Sequence, residues 1–541
     1  MSQRLHEPVP ASAQQPGRDP RRDLTKGARG QPIDDVALVE RIRAFVPIVL
    51  RITGTPGINL AIGRRGRVIW EEGFGQADLA LGIPMTATHT AKVGSLSKLY
   101  TAVAIMQLVE RGVLDLYGPV DEYVDGFAVL NPLGERHVTI YDLLTHRSGL
   151  ALDTYEAGPQ PPGPLGSYLQ SQYTTPWSRE YAGARGRWLA KTGAAFQYSN
   201  LGLATLGYVV SLTNPEALSF PAYIRRNIFE PLGMTSSAFV AHDEDREHLA
   251  GLLGRLSVGY ARFGRTFIPT PLVYSLVPPA AGLVTTAGDH LRLLMALLGE
   301  GDLQGSRILA PTSARFMTTP QVDIDVDDKP SGISVGLVMQ LCDLDGPRGF
   351  FGHSASFPHG WYHDSRAYPR SDLAVVGLAN RWDAVRWTNP SAELAPSVIA
   401  DYAASLTEAH ALPDVGIERS WEWRAAYVMG AVLVDRCRAL FGISEPWQRP
   451  DTEAMIAGAH TVGGADAEDW DPDGFRAGVR DMLRLDCSPA AIQTFVKSAD
   501  FGVAASELPL INLSFGRRGD LPLPMPYFAR PAGPGRRRPV P

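Results

Sequence analysis

Cysteine is scarce in this chain of 541 residues, which contains only Cys342, Cys437 and Cys487. Three widely spaced cysteines are too few for a disulfide framework or for a four-ligand zinc site. The sequence therefore fits either a reducing compartment or a fold that needs no bridges.

Long apolar runs are also lacking. The most hydrophobic stretch, residues 425–434, is bounded by Arg424 and Asp435. It is far shorter than the ~20 residues that a membrane-spanning helix needs. The N-terminal residues MSQRLHEPVPASAQQPGRDP contain no apolar segment, and no hydrophobic stretch follows the Arg21-Arg22 pair. We therefore expect no membrane partner, no export and a cytoplasmic location.

An excess of positive charge is absent as well. The 51 Lys and Arg are outnumbered by 57 Asp and Glu, which leaves a formal net charge of -6. Such a chain has no net positive field to attract nucleic acid, so we expect no nucleic-acid partner. The composition, 45% hydrophobic and 20% charged, is that of a globular protein and excludes a collagen, a coiled coil and a disordered chain.

Composition and pattern divide the chain into four segments. Residues 1–34 are polar and rich in Pro, Gln and Arg, which is typical of a disordered leader. Residues 35–408 predict one folded domain. Residues 409–515 contain helical patterns such as WEWRAAYVMGAVLVDRCRALFG, and residues 516–541 form a proline- and arginine-rich tail.

Within the folded domain, strand and helix patterns occur together. The segments INLAIGR and RVIWEEGFG, on either side of Arg65-Gly66, predict a β-hairpin, and LAVVGLAN predicts a buried strand. Residues 95–111 predict a helix that is apolar on nearly every side and ends at Gly112, so we expect it inside the protein. These elements predict an α+β fold with helices packed on an antiparallel sheet.

Ser95 and Lys98 stand at the start of the apolar helix, in the pattern Ser-Leu-Ser-Lys. Residues three apart are neighbours on a helix, and the helix N-terminus offers unpaired N–H groups. Burial favours the uncharged amine, and moving a lysine pKa from ~10.4 to near 7 corresponds to roughly 4–5 kcal/mol. The pair is a workable serine nucleophile with its base, although an ordinary surface pair would give the same pattern.

A second motif, Tyr198-Ser199-Asn200, lies in a predicted turn before an apolar helix over residues 201–212. Its phenol could share a proton with Lys98, and its amide could bind a substrate carbonyl. A capping Asn in an ordinary loop is the alternative interpretation.

A third motif, FGHSAS, begins a histidine cluster. His353, His359 and His363 fall at even spacings, so they would share a face if they lay on one strand. A metal site is conceivable, but Pro358 and Gly360 interrupt the strand and no acidic partner is fixed. We therefore predict neither a metal nor a cofactor.

In this order, the three motifs resemble those of the serine β-lactamase-related family, which includes class C β-lactamases, DD-peptidases, esterases and acyltransferases. The stretches VTIYDLLTHRSGL and AAGLVTTAGDHLRLLMALL also resemble family segments, and the likeness extends over about residues 57–405. It implies a β-lactamase/transpeptidase-like α+β fold, in which an antiparallel sheet is flanked by helices and joined by an all-helical subdomain. The mainly helical C-terminal region is additional to the family pattern.

The resemblance implies that residues 35–408 form a catalytic domain and gives each motif residue a role. Ser95 would be the acylated nucleophile and Lys98 its proton acceptor. Tyr198 would protonate the leaving group and then activate the second nucleophile.

The resemblance also implies groups that bind the substrate. Asn200 would orient the acyl group, and His353 stands where the family has Lys or His. The backbone amides of Ser95 and Ser356 would form the oxyanion hole. We interpret His146, in LLTHRSGL, as a structural hydrogen-bonding residue.

One departure from the family pattern limits the substrate. The third motif of the family reads Lys/His-x-Gly, whereas this chain has His353-Ser354-Ala355. The Ala355 methyl group should narrow the slot beside the strand, and histidine supplies no fixed cation for a substrate carboxylate. Both changes argue against penicillin-like substrates.

We therefore predict a serine hydrolase that acts through an acyl-enzyme on an ester or amide of a small molecule. An acyltransferase of the same fold, in which an amine or alcohol replaces water in secondary metabolism, stays open. The long loop over residues 151–190 and the C-terminal region could exclude water or supply a second binding site. A catalytically silent binding protein is the third alternative. The oligomeric state is not indicated.

Overall fold

The computed structural model describes residues 33–150, 157–174, 188–263, 266–326, 329–342, 344, 349–357, 360–382 and 394–407. The predicted C-terminal helical region and tail, nearly all of the leader and part of the 151–190 loop lie outside these ranges. The boundaries given to those segments stay predictions.

Most of the described strands are short, and the longer ones belong to one sheet. In chain order they are β1 (Gly57–Arg64), β2 (Arg67–Asp78), β3 (Ile83–Pro84), β4 (Ala91–Lys92), β5 (Ala157–Gly158), β6 (Ala238–Phe239), β7 (Tyr260–Phe263), β8 (Thr266–Pro269), β9 (Tyr274–Ser275), β10 (Leu283–Thr285), β11 (Asp302–Leu303), β12 (Ser306–Arg307), β13 (Val322–Val326), β14 (Lys329–Val335), β15 (Gln340–Cys342), β16 (Phe350–Phe357), β17 (Trp361–Tyr368) and β18 (Leu373–Ala379).

The described helices pack on that sheet or on one another. They are α1 (Asp35–Thr53), α2 (Ser97–Glu110), α3 (Ile140–Leu144), α4 (Leu165–Thr174), α5 (Asn200–Thr213), α6 (Phe220–Ile224), α7 (Glu230–Leu232), α8 (Arg246–Leu253), α9 (Pro278–Ala281), α10 (Ala287–Leu298), α11 (Pro311–Met317) and α12 (Leu394–Thr407). Short 3-10 turns occur at Gly94–Leu96, Val120–Tyr123 and Pro369–Ser371, and a π turn at Arg225–Phe229.

The main sheet is antiparallel and has the strand order β13-β14-β15-β16-β17-β18-β1-β2-β3. The predicted hairpin is confirmed as β1 and β2, and Arg65 and Gly66 both adopt positive φ (53° and 69°), as the tight primed turns of hairpins require. The predicted buried strand is confirmed as β18, which pairs with β1. The centre of the sheet therefore joins segments from both ends of the described chain.

Helices approach the two faces of the sheet closely. A Cβ atom placed at Gly63 would lie 2.2 Å from Met295 of α10. A Cβ atom at Gly377, which points to the opposite face, would lie 2.9 Å from Pro396 of α12. Because both positions are glycine, the helices can pack against the strands without a clash. The expected sheet flanked by helices is thus confirmed.

The apolar helix lies inside the protein, as predicted. It is observed as α2, in which the residues from Ser97 to Leu108 are all buried, and Gly112 follows its end with φ +68°. The start differs from the prediction, because Gly94–Leu96 form a 3-10 turn and the α-helical residues begin at Ser97. Ser95 is therefore carried by a tight turn in front of the helix.

Candidate active site

Ser95 and Lys98 meet at the entry to α2. Lys98 Nζ donates to Ser95 Oγ over 2.8 Å and to the carbonyl oxygen of Ala280 over 2.9 Å. Ala280 belongs to α9, which packs against the Gly94–Leu96 turn that carries Ser95. Lys98 is fully buried, whereas Ser95 keeps 6% of its surface exposed. Both residues are therefore buried, and the lysine is shielded from solvent completely.

Tyr198 brings a second group to the same hydroxyl. Its phenol donates to Ser95 Oγ over 2.8 Å, and its ring centroid lies 4.8 Å from Lys98 Nζ. Ser199 Oγ accepts from the amide of Gly202 and caps α5, so the start of that helix fixes the position of the tyrosine. The turn before an apolar helix is observed as predicted.

Asn200 is the first residue of α5 and is buried. Its Oδ1 atom has no hydrogen-bond partner within the described ranges of the chain. A buried amide oxygen in this position costs free energy unless something binds it. Asn200 is therefore suited to receive a hydrogen bond from a ligand.

The third motif lies on β16, which packs against the Gly94–Leu96 turn. The amide of Ser354 donates to Gln340 Oε1 over 3.1 Å, so it points to the β15 side of the strand. Alternate residues of a strand share an edge, which places the amide of Ser356 on the same side. β15 pairs with β16 only as far as Gly352, two positions before Ser354.

His353 is an uncharged side chain in this structure. Burial lowers its pKa to about 3. Its Nδ1 atom lies 2.5 Å from the carbonyl oxygen of Ser354. A carbonyl only accepts, so Nδ1 donates, and the remaining ring nitrogen is an acceptor. The ring centroids of His353 and Tyr198 are 6.3 Å apart.

The strand is interrupted between His353 and His363, as the sequence indicated. The chain reverses between Phe357 and Trp361, so His353 lies on β16 and His363 on β17, opposite Ala355. His359 is outside the described residues. Among the residues that the structure does describe, no group of three histidine, cysteine or acidic side chains could hold a metal ion.

Lys92 is a polar residue near the site that the sequence did not single out. It is buried three residues before Ser95, and burial lowers its pKa to about 7. Its Nζ atom lies 5.2 Å from the ring centroid of Tyr274 and 5.9 Å from that of Trp361. Only its position next to the nucleophile motif could have drawn attention to it, because both aromatic partners are distant in sequence.

None of the described helices is both long and apolar enough to cross a membrane.

The beta-lactamase family model matches residues 40–394. The chain is 28% identical over 332 residues to penicillin-binding protein 4 of Amycolatopsis lactamdurans, an alignment that spans 60% of this chain and 81% of that protein. It is 27% identical over 374 residues to esterase EstB of Burkholderia gladioli, with 64% of this chain and 92% of the esterase covered.

The fold also matches a solved structure described as EstCE1, a hydrolase with promiscuous acyltransferase activity. The TM-score is 0.52 at 22% identity, and the alignment covers 68% of this chain and 99% of EstCE1. At that identity the likeness concerns the fold.

Proposed function

The chain belongs to the beta-lactamase family, and from that premise we propose that it is a serine hydrolase that cleaves an ester or amide through an acyl-enzyme on Ser95. One observation carries the proposal: Lys98 Nζ and Tyr198 Oη both lie 2.8 Å from Ser95 Oγ. A nucleophile held within hydrogen-bond reach of two proton-transfer groups is the arrangement that covalent catalysis needs.

In the acylation step, Ser95 Oγ bonds to the substrate carbonyl carbon while Lys98 Nζ accepts the hydroxyl proton. Full burial of Lys98 supports this role because burial disfavours the ammonium form. The resulting oxyanion is held by the amides of Ser95 and Ser356, and loss of one such donor typically costs about 10²–10³ in kcat. Asn200 holds the acyl group.

The tetrahedral intermediate then collapses and the bond to the leaving group breaks. Tyr198 gives its proton to the departing alcohol or amine and is reprotonated from Lys98. In the second half of the reaction a water molecule attacks the acyl carbon, and its proton passes through the same pair as Ser95 Oγ leaves. Atoms and charges balance without any cofactor.

We propose that the acyl substrate has no carboxylate directed at the third motif. His353 is uncharged at neutral pH because burial lowers its pKa to about 3, and its Nδ1 hydrogen is used by Ser354. The Ala355 methyl group lies on the same face of β16 as His353, where the family pattern has glycine. An uncharged ester or amide with a slender acyl group suits this slot better than a penicillin.

Acyl transfer to an amine or alcohol is the second candidate. EstCE1 shares the fold and is described as a hydrolase with promiscuous acyltransferase activity. Hydrolysis and transfer share the first half of the reaction, so the same Ser95, Lys98 and Tyr198 serve both.

The test is covalent trapping of the acyl group. Mixing the full chain with p-nitrophenyl acetate should release a burst of nitrophenolate and leave one acetyl group on Ser95, located by mass spectrometry. Ser95→Ala should abolish both signals. Ser97→Ala is the matched control, because Ser97 Oγ accepts from the amide of Leu283 and takes no part in the proposed chemistry.

The outcomes separate the three alternatives. Amide product formed in water when an amine is added favours transfer, and acetate alone favours hydrolysis. Absence of an acetyl adduct on Ser95 would contradict the proposal and favour the silent binding protein.

A further inference from the structure

His146 lies in the loop after α3 with a backbone φ of +55°. Residues other than glycine rarely adopt this left-handed conformation, although Asn, Asp and His do so more often than most. The side chain is 2% exposed. A strained, buried residue beside a candidate active site is held there by its surroundings, so its contacts identify what it does.

Two hydrogen bonds connect His146 to the residues on either side of Tyr198. Its carbonyl oxygen accepts from the amide of Gln197 over 2.6 Å, and its Nδ1 atom accepts from the amide of Ser199 over 3.1 Å. The left-handed backbone turns the carbonyl and the ring toward the same segment. The peptide that carries Tyr198 is thus held at both ends by one residue.

The imidazole ring also contacts the tyrosine itself. The ring centroids of His146 and Tyr198 are 4.4 Å apart, with an angle of 31° between the planes. The phenol then reaches Ser95 Oγ at 2.8 Å. Backbone and ring of Tyr198 are therefore both fixed from the His146 side.

The hydrogen bond at Nδ1 fixes the protonation of His146. A backbone amide only donates, so Nδ1 carries a lone pair and the single ring proton sits on Nε2. Burial holds the pKa of His146 well below its usual value. The ring stays neutral and cannot take a proton at Nδ1 while it binds Ser199.

We propose that His146 is a positioning residue that clamps Gln197 and Ser199 so that the Tyr198 phenol stays on the nucleophile. This inference rests on the proposed acyl-enzyme function. It assigns His146 a role in the reaction that goes beyond stabilising the fold, because the clamp sets the distance between the proton donor and Ser95.

Two substitutions at His146 distinguish the effect of losing the Nδ1 acceptor from any effect of the left-handed backbone conformation. His146→Gly keeps the left-handed conformation and the carbonyl contact to Gln197 but removes the acceptor for Ser199. His146→Asn also tolerates the left-handed conformation and places Oδ1 about where Nδ1 stands. We expect His146→Gly to lower kcat on an alkyl ester by 10- to 100-fold with KM changed less than threefold, and His146→Asn to recover most of that loss.

Asn131→Ala is the matched control for a general loosening of these segments. Asn131 Nδ2 donates to the carbonyl oxygens of Ser148 and Ala190, which joins the same two stretches of chain away from Tyr198. This variant should lower the midpoint of thermal unfolding while kcat changes less than threefold. Equal kcat for wild type, His146→Gly and His146→Asn would overturn the clamp, as would equal losses in Asn131→Ala and His146→Gly.

A readout without turnover distinguishes failure of the clamp from failure of the proposed function. With uniformly ¹⁵N-labelled protein, the wild type at pH 7 should show His146 as the Nε2–H tautomer, with a coupling across the hydrogen bond from Nδ1 to the Ser199 amide nitrogen. If that coupling is present but Ser95 is never acylated, the proposed function fails and the clamp geometry stands. If Ser95 is acylated but the coupling is absent, the clamp is wrong.

Discussion

Lys98→Met separates the contribution of Lys98 to catalysis from its contribution to stability. The substitution keeps the length and most of the volume of the side chain but removes Nζ. It therefore deletes the hydrogen bonds to Ser95 Oγ and to the carbonyl oxygen of Ala280. Methionine adapts to irregular space, so we expect the site to refill without a large cavity.

The expected change in stability is small because two effects oppose each other. Each lost hydrogen bond contributes about 1 kcal/mol, and the Ala280 oxygen is left without this donor. Against that loss, an apolar thioether replaces a fully buried polar amine, which removes the cost of burying that amine. The free energy of unfolding should change by less than about 2 kcal/mol.

The expected change in activity is large. Removal of a general base costs about 10²–10⁴ in rate, and a thousandfold loss corresponds to roughly 4 kcal/mol of activation free energy. Initial rates with p-nitrophenyl acetate measure the activity, and urea unfolding followed by tryptophan fluorescence measures the stability. A variant that keeps more than a tenth of the activity, or that loses stability in proportion to activity, would refute the reasoning.

Thr101→Val is a control that should lower the stability and leave the activity nearly unchanged. Thr101 lies one turn further along α2, is fully buried, and donates to the carbonyl oxygen of Pro279 over 2.7 Å. Valine keeps the shape and loses the hydrogen bond, so the free energy of unfolding should fall by about 1–3 kcal/mol. Its rate should stay within threefold of the wild type.

Three further expectations concern proton transfer by Tyr198, the width of the substrate slot at Ala355 and the stability of the protein at low pH. Tyr198→Phe removes the hydroxyl group that lies 2.8 Å from Ser95 Oγ and should slow the cleavage of alkyl esters by about 10²–10³-fold. The cleavage of p-nitrophenyl esters should be slowed less, because nitrophenolate leaves without a proton. Equal losses on both ester types would show that Tyr198 does not protonate the leaving group. Ala355→Gly should raise kcat/KM for bulkier acyl groups relative to acetate in a chain-length series, and an unchanged ranking would show that the methyl group does not narrow the slot. Burial lowers the pKa of His290 to about 3 and that of His363 to about 4. Below about pH 6.5 these histidines are protonated in the unfolded chain but not in the native state. The free energy of unfolding should therefore fall as the pH is lowered, by up to about 1.4 kcal/mol per pH unit for each histidine. Urea unfolding between pH 7 and 5 measures this slope, which should be shallower in His290→Phe, and a slope independent of that substitution would contradict the assignment.

Local features of the fold were predictable because they depend on neighbouring residues. The hairpin around Arg65-Gly66 follows from two alternating segments and a turn that favours positive φ. The spacing of Ser95 and Lys98 follows from helical periodicity, and the structure brings their side-chain atoms to 2.8 Å. The burial of α2 follows from apolar residues on nearly every side.

Contacts between distant segments could not be read from residue patterns alone. The carbonyl oxygen of Ala280 holds Lys98 from 182 residues away, and no sequence motif marks a backbone acceptor. Pro358 and Gly360 indicated an interruption of the strand, but not that the chain reverses there and puts His353 and His363 on adjacent paired strands. The residues around Tyr198 allowed either a phenol near Lys98 or an ordinary loop, and the family resemblance favoured the first.

The arrangement around Ser95 bears on the choice between hydrolysis and transfer. In the proposed acyl-enzyme, Lys98 Nζ and Tyr198 Oη would take a proton from the second nucleophile, whether that is water, an alcohol or an amine, because both lie 2.8 Å from Ser95 Oγ. Substitution of Lys98 or Tyr198 should therefore reduce both products in the same proportion when an amine competes with water. Ala355→Gly should instead change the product ratio, because it alters access to the acyl-enzyme and leaves the base in place. A shift in the ratio on Lys98→Met would show that the two reactions do not use a common base.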